Sequence, residues 1–296
     1  MSVKNKKILI FGSSGFLGQH LVSLLKKDNT IVQFDINPPE NSNCDSNFIQ
    51  GSILDKELVL TATKGVDIVY HFAAMTDLDI VNNNPAKAIE VNIAGTSNIL
   101  DACIKEKVER FIFSSSVYVY SQFGGVYKST KQACELLIED YDKMHGLNYT
   151  ILQLGSVYGP GATQTNLISR LIFEALTQNE IQHYGTGEEI RHYLFVKDVV
   201  NVAIDLMDVK FNKRKIILMG NERKTISQLM DEIIFQTNLN SQKVFKENDY
   251  GLHYKTSPFH TKPNSAVEYK IESHTSIEKG LKASILSLQS ELAKQG

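Results

Sequence analysis

Residues 6–18, "KKILIFGSSGFLG", decide the fold. A short apolar run rich in β-branched residues ends at Gly12, and helical apolar spacing begins at Phe16 and Leu17 and continues through Val22 and Leu25. Between them stand Gly12, Gly15 and Gly18. Glycines placed between a strand and a helix permit a tight turn, close approach of backbone to a pyrophosphate, and close helix–strand packing. The phosphates then rest on the amides that open the helix, here those of Phe16, Leu17 and Gly18. The spacing G-x-x-G-x-x-G is one residue longer than the usual dinucleotide fingerprint. Asp35 closes the next strand, "TIVQFD", and suits the hydroxyls of an adenosine ribose while repelling a 2′-phosphate. The following "INPPE" offers no arginine for such a phosphate, so the expected cofactor is NAD rather than NADP.

Outward from this turn the first half of the chain alternates. "NFIQG" reads as a short strand, "VDIVYHFAA" as a buried strand, and "NPAKAIEVNIAGTSNILDACIKEK" as a long amphipathic helix. "VERFIFSSS" is a strand, "YKSTKQACELLIEDYDKMHG" a helix closed by glycine, and "NYTILQLGSVYG" one strand running into a Gly-Pro-Gly turn. Alternation of this kind predicts a parallel sheet covered on both faces. The fold class is therefore α/β: a Rossmann-type doubly wound parallel sheet with a smaller C-terminal α/β substrate lobe. Expected boundaries are 1–160 for the NAD-binding domain, with 192–220 returning to it, and 161–191 with 221–296 for the smaller lobe. In the second half "NLISRLIFEAL", "TISQLMDEIIFQT" and "SIEKGLKASILSLQSELAK" read as helices, "KIILMG" as a strand, and "RHYLFVKDVVNVAIDLM" as a strand then a helix. The polar stretch from about Asn240 to His274 reads as loops and short elements.

The 296 residues are 42% hydrophobic with a net charge of −2, and lysine and arginine are dispersed, so no nucleic-acid partner is expected. No run of about 18 apolar residues occurs, so no membrane span is expected. Three separated cysteines, Cys44, Cys103 and Cys134, have neither metal-ligand spacing nor an even count. No metal site, a reducing compartment and, without a signal-peptide pattern, a cytoplasmic location are expected.

Residues 114–131, "SSSVYVYSQFGGVYKSTK", hold three tyrosines. Only Tyr127 has a lysine, Lys131, at i+4, which places the ammonium on the same helix face as the phenol. A neighbouring cation favours the phenolate, so a lowered tyrosine pKa is expected. His71, at a strand end, reads as packed rather than catalytic.

With these motifs in place the chain resembles the extended short-chain dehydrogenase/reductases, the NAD-dependent nucleotide-sugar epimerases and dehydratases. The resemblance runs from Lys7 to about Leu281 and is carried by "GSSGFLG", "VYHFAA", "VNIAGTSNILDAC", "FIFSSS" with "YKSTK", "GSVYGPG" and "GTGEEIRHYLFVKDVV". It implies that Ser116 hydrogen-bonds the reacting hydroxyl, Tyr127 is the base, and Lys131 tunes it and holds the nicotinamide ribose. It implies that Ala73 and Ala74 line the cofactor and that Asn92 lies under the site. Arg191 pairs with a substrate pyrophosphate, and Asp198 is the acid of a structural turn. It also implies a homodimer in which the two long helices pair with their symmetry mates, with Ile99, Cys103, Leu136 and Leu137 as apolar residues on more than one face.

The chain departs from the family pattern at several points. Ser52 and Ile53 stand where an acid often contacts adenine, and Ser156 stands where an asparagine is usual near the substrate phosphates. Only Lys255 or Lys262 is offered for a second phosphate-binding arginine. The Ser116–Tyr127 segment is short. Dehydratases and decarboxylases place acids directly after the catalytic serine or threonine; here those positions are Val117 and Tyr118. The expected activity is therefore epimerisation of a UDP-, dTDP- or GDP-hexose, at C4, through a transient 4-keto sugar. A nucleotide-sugar 4-ketoreductase or dehydrogenase and a non-catalytic NAD-binding scaffold remain as alternatives.

Overall fold

A computed structural model describes residues 4–39, 47–246 and 266–295. Cys44, Lys255 and Lys262 lie outside the described residues. In chain order the elements begin β1 (Lys7–Phe11), α1 (Phe16–Leu25), β2 (Thr30–Asp35), β3 (Phe48–Gln50), α2 (Lys56–Thr63) and β4 (Ile68–His71). They continue α3 (Leu78–Asn83), α4 (Pro85–Ile89), a π turn (Glu90–Ala94), α5 (Gly95–Lys105), β5 (Arg110–Ser116), a 3₁₀ turn (Val117–Tyr120) and α6 (Gly125–His145). Then come β6 (Tyr149–Leu154), β7 (Ser156–Tyr158), α7 (Leu167–Thr177), β8 (Glu180–Tyr184), β9 (Ile190–Phe195) and α8 (Val196–Asp205). A 3₁₀ turn (Val209–Phe211), β10 (Arg214–Leu218), β11 (Glu222–Thr225), α9 (Ile226–Thr237), β12 (Gln242–Lys246), β13 (Ala266–Glu268) and α10 (Ile277–Gln295) complete them.

The chain divides into two compact units. The first carries the described residues up to Leu154, with Val200–Ile217 and 266–268. Its eight-stranded sheet has the order β13-β10-β6-β5-β4-β1-β2-β3. The pairings β3–β2–β1–β4–β5–β6 are all parallel, and the order reverses between β1 and β4. This is the Rossmann-type doubly wound arrangement, whose ligand crevice lies at the carboxyl ends of the strands flanking that reversal. Alternation in β1 sends Leu9 and Phe11 into a core shared with Val69, Phe111, Ile99, Leu100, Cys103 and Ile138. The second unit carries Gly155–Val199, Leu218–246 and 269–295, with the small sheets β11-β9-β7 and β12-β8. Asp198, at the start of α8, accepts from the backbone N–H (2.8 Å) and Oγ1 (3.0 Å) of Thr275, ahead of α10.

Several sequence expectations shift. The single strand expected in "NYTILQLGSVYG" breaks at Gly155 into β6 and β7, which belong to different sheets, so the first unit ends at Leu154 rather than 160. The expected return of 192–220 divides as well: β9 stays with the second unit and Val200–Ile217 belongs to the first. The long helix over 84–107 contains the π turn. Helices α2 and α3 and strands β8 and β11 are additions to the sequence reading. Of the four apolar residues offered for helix pairing between copies, Ile99 and Cys103 are fully buried, because their positions on α5 face the sheet, Leu137 is partly buried against the core, and Leu136 is 61% exposed.

Two buried polar contacts fasten Val200–Ile217 to the sheet. The Tyr70 hydroxyl donates to the Ala203 carbonyl at 2.8 Å. Arg110, buried at the start of β5, donates to Asn212 Oδ1 and the Asp208 carbonyl, each at 2.7 Å. Charge-assisted hydrogen bonds in a buried setting contribute more than neutral ones. Arg110→Met is expected to lower unfolding free energy by about 2–4 kcal/mol, measured by urea denaturation followed by circular dichroism. A loss under about 0.5 kcal/mol would show that the Arg110 contacts contribute little to holding this segment.

Candidate active site

Gly12 has φ +83°, and a Cβ there would lie 2.6 Å from the Ala73 nitrogen and 2.8 Å from the Phe72 carbonyl carbon. A Cβ on Gly18 would overlap the Gly12 carbonyl oxygen. The turn therefore brings β1, the end of β4 and α1 into backbone contact. Gly15, at the N-cap of α1, contributes no side-chain cap, and the Ser13 hydroxyl is buried without a hydrogen-bond partner among the described residues. The first-turn amides of Phe16, Leu17 and Gly18 have no intrahelical acceptors. These features suit a pyrophosphate. Asp35 sits at the end of β2 with one carboxylate oxygen accepting from Ser14 N (3.0 Å) and the other from Asn37 N (3.1 Å). Those bonds aim the carboxylate beside the glycine turn, where a ribose would lie. The Ser52 hydroxyl accepts from Leu54 N at 3.2 Å. Ile53 directs its side chain into the core against Gly95, so only the backbone of this residue is left to face a cofactor.

Across the switch point, the loop after β4 carries Ala73 and Ala74, both half-buried. Asn92, within the π turn, fixes this loop: its Oδ1 accepts from Met75 N (2.7 Å) and its Nδ2 donates to Met75 O (3.0 Å). The same Nδ2 reaches Thr130 Oγ1 on α6 at 3.1 Å. The π turn rotates Asn92 inward at a point where a regular helix would continue. His71 is buried among Phe11, Phe111 and Phe113, and its Nε2 lies 2.9 Å from Thr96 Oγ1. Burial holds its pKa at about 3, so it is neutral.

Ser116 ends β5, while Tyr127 and Lys131 lie one turn apart on α6. Lys131 is buried, and its Nζ donates to Ser114 O at 2.8 Å and lies over the Phe113 ring at 4.6 Å. Burial lowers its pKa to about 8. The Tyr127 pKa is raised to about 12 by burial, against a hydrogen bond with the Ser116 side chain that lowers it. The lowered tyrosine pKa expected from Lys131 is therefore corrected for the protein alone. Desolvation of the phenol is the largest influence, and the Lys131 ammonium stands 5.9 Å from the ring centroid.

The other two tyrosines are engaged elsewhere. Tyr120 donates to Gln153 Oε1 at 2.8 Å. Tyr118 meets Tyr127 edge-on, with centroids 6.3 Å apart, and its ring packs against Gly124, which has φ +95°. Gly125 follows at φ +49°, and Asn82 of α3 accepts from Val126 N at 2.9 Å, capping the helix that Gly124 leaves uncapped. Asn82 was missed in the sequence because its partner is 44 residues away. In the second unit Arg191, buried on β9, lies two residues from Tyr193, which pairs with Ser156 of β7. Among the described residues, no group of three or more His, Cys, Asp or Glu could hold a metal ion, and no helix is long and apolar enough to cross a membrane.

This fold agrees with known proteins. The profile of the NAD dependent epimerase/dehydratase family matches residues 8–220. The chain belongs to that family, and its cofactor is NAD. It is 30% identical over 226 residues to a trifunctional UDP-glucose 4,6-dehydratase/UDP-4-keto-6-deoxy-D-glucose 3,5-epimerase/UDP-4-keto-L-rhamnose-reductase of Arabidopsis thaliana, covering 66% of this chain. The chain spans only 34% of that enzyme's length. It is 29% identical over 267 residues to a UDP-N-acetyl-alpha-D-glucosaminuronate decarboxylase of Bacillus cytotoxicus, covering 81% of this chain and 83% of the other. The crystal structure of UDP-glucose 4-epimerase from Thermotoga maritima with UDP-glucose superposes with a TM-score of 0.83 at 25% identity, covering 97% of this chain and 99% of that one.

Asp35 is expected to set the preference for NAD: by calorimetry NADP should bind at least about tenfold more weakly, and Asp35→Ser should narrow the gap. Equal affinities in the unmodified protein would refute this role.

Proposed function

We propose that the protein is an NAD-dependent epimerase that inverts C4 of a nucleotide-activated hexose, a UDP-, dTDP- or GDP-sugar, through a transient 4-keto sugar. The observation that carries the reading is the pairing of the Ser116, Tyr127 and Lys131 group with Val117 and Tyr118 directly after Ser116. Neither of those two residues has a carboxylate for the acid–base elimination of a dehydratase or the role of a decarboxylase glutamate. The likeness to the Thermotoga maritima epimerase supports the same reading.

In this mechanism Tyr127 removes the proton of the 4-hydroxyl while Ser116 shares the hydrogen bond, and returns the proton after the sugar has turned. One hydroxyl then serves both directions with a single base, whereas inversion at C3 or C5 needs a second acid–base pair. NAD, when bound, would supply the hydride acceptor and donor. Lys131 adds its own charge and is held through Ser114 O, 5.9 Å from the centroid of the phenol ring. Arg191, a planar fork of donors, is assigned to the pyrophosphate of the substrate, with Ser156 nearby on the adjoining strand. The free, buried thiols of Cys103 and Cys134 fit a reducing, cytoplasmic setting.

Tyr127→Phe is expected to lose about 100-fold or more in turnover with the fold and NAD binding intact. The product is tested by incubating UDP- and dTDP-hexoses with the enzyme and following the anomeric and H4 signals by NMR. Formation of the C4 epimer without net redox change is expected. A 4-keto-6-deoxy product, or steady consumption of added NADH, would overturn the epimerase reading.

The assembly proposed is a homodimer built on the α4–α5 and α6 helices, whose exposed faces carry Ile89, Leu136 and Met144. Such a contact is two-fold and self-complementary. Light scattering at micromolar concentration is expected to give twice the chain mass; the mass of a single chain would exclude it.

A further inference from the structure

The mechanism above leaves one buried acid unused. Glu135, one turn beyond Lys131 on α6, is 5% exposed. Its carboxylate accepts from the Ser115 hydroxyl on β5 and from Gln153 Nε2 on β6 at 2.9 and 3.1 Å. Lys215 of β10 lies 3.3 Å from it and is also paired with Glu139 at 2.8 Å. Gln153 in turn receives the Tyr120 hydroxyl. One carboxylate thus ties α6 to three neighbouring strands, and its contact on β5 is the residue directly before Ser116.

Its second consequence is electrostatic. A buried ammonium is costly unless an opposite charge accompanies it. The titratable groups facing Lys131 are Tyr127, Cys134 and Glu135 on its own helix and His71 on β4. Burial keeps Tyr127, Cys134 and His71 uncharged at neutral pH. Among these, Glu135 is the one carboxyl group, and it also faces Lys215.

We propose that Glu135 is a positioning residue: it holds Lys131 in its cationic form and fastens α6 to the Ser116 end of β5. The proposal rests on the reading of Tyr127 and Lys131 as the proton-handling pair. It is tested on the NAD-loaded protein labelled with ¹³Cε-lysine, the Lys131 signal being identified by its loss in Lys131→Met. The pH midpoint of that signal is expected to fall by about one unit in Glu135→Gln and to rise in Lys215→Met, which leaves Glu135 less compensated. In Glu135→Asp, which keeps the charge, it should stay near the unmodified value. A role confined to packing would change stability without these opposite shifts. An unmoved midpoint in Glu135→Gln, or shifts of the same sign in both variants, would overturn the proposal. Should Glu135→Gln not fold, an unmoved midpoint in Lys215→Met would overturn it equally. No substrate enters the titration, so its outcome is separate from that of the reaction: full activity in Tyr127→Phe would remove the mechanistic reading and leave the lysine shifts standing.

Discussion

The carbonyl of Gly12 occupies the space that a side chain on Gly18 would need, and the backbone of Ala73 closes on Gly12 from the other side. Everything at the nucleotide end depends on this contact. With no Cβ at either glycine, α1 starts directly over the end of β1 and points its unpaired amides across the turn. A side chain at either position would lever the helix away from the sheet and move Asp35, whose carboxylate is held by Ser14 N within the same turn. The reversal of strand order between β1 and β4 falls at the same place, so the glycine turn and the loop carrying Ala73 and Ala74 lie side by side.

The other end of the first unit works by burial rather than by close backbone contact. Desolvation moves the phenol of Tyr127 up and the ammonium of Lys131 down, each toward its neutral form. On the proposed reading of this pair as the proton-moving group, that is the opposite of what is required, so the charged state would depend on the fixed polarity around it: the Ser116 hydroxyl, the Ser114 carbonyl and the Glu135 carboxylate. Such a site is sensitive to small displacements, which accounts for the density of hydrogen bonds around it. Asn92 fastens the β4 loop to α6, and Asn82 caps the first turn of that helix. The short segment between Ser116 and Tyr127 is folded back by Gly124 and Gly125, and it sets the Tyr118 ring against the phenol.

How much of this was legible beforehand follows from the range of each interaction. The glycine turn, Asp35 at a strand end, and the i, i+4 relation of Tyr127 and Lys131 are local, and the amino-acid sequence by itself determined them, along with the strand–helix alternation that makes the sheet parallel. Nonlocal facts belonged to the tertiary structure. Gly155 looks like any glycine within an apolar run, yet there the chain leaves one sheet for another, because strand membership depends on partners dozens of residues away. Ile99 and Cys103 satisfy the pattern of an outward helix face as well as an inward one, and only packing on the sheet decided between them. The direction of the Tyr127 shift was misjudged from spacing because spacing reports a neighbouring charge and is silent about burial, the larger influence here. Glu135 and Asn82 left no readable signal for the same reason: what they do is defined by strands and helices that meet them only once the chain has folded.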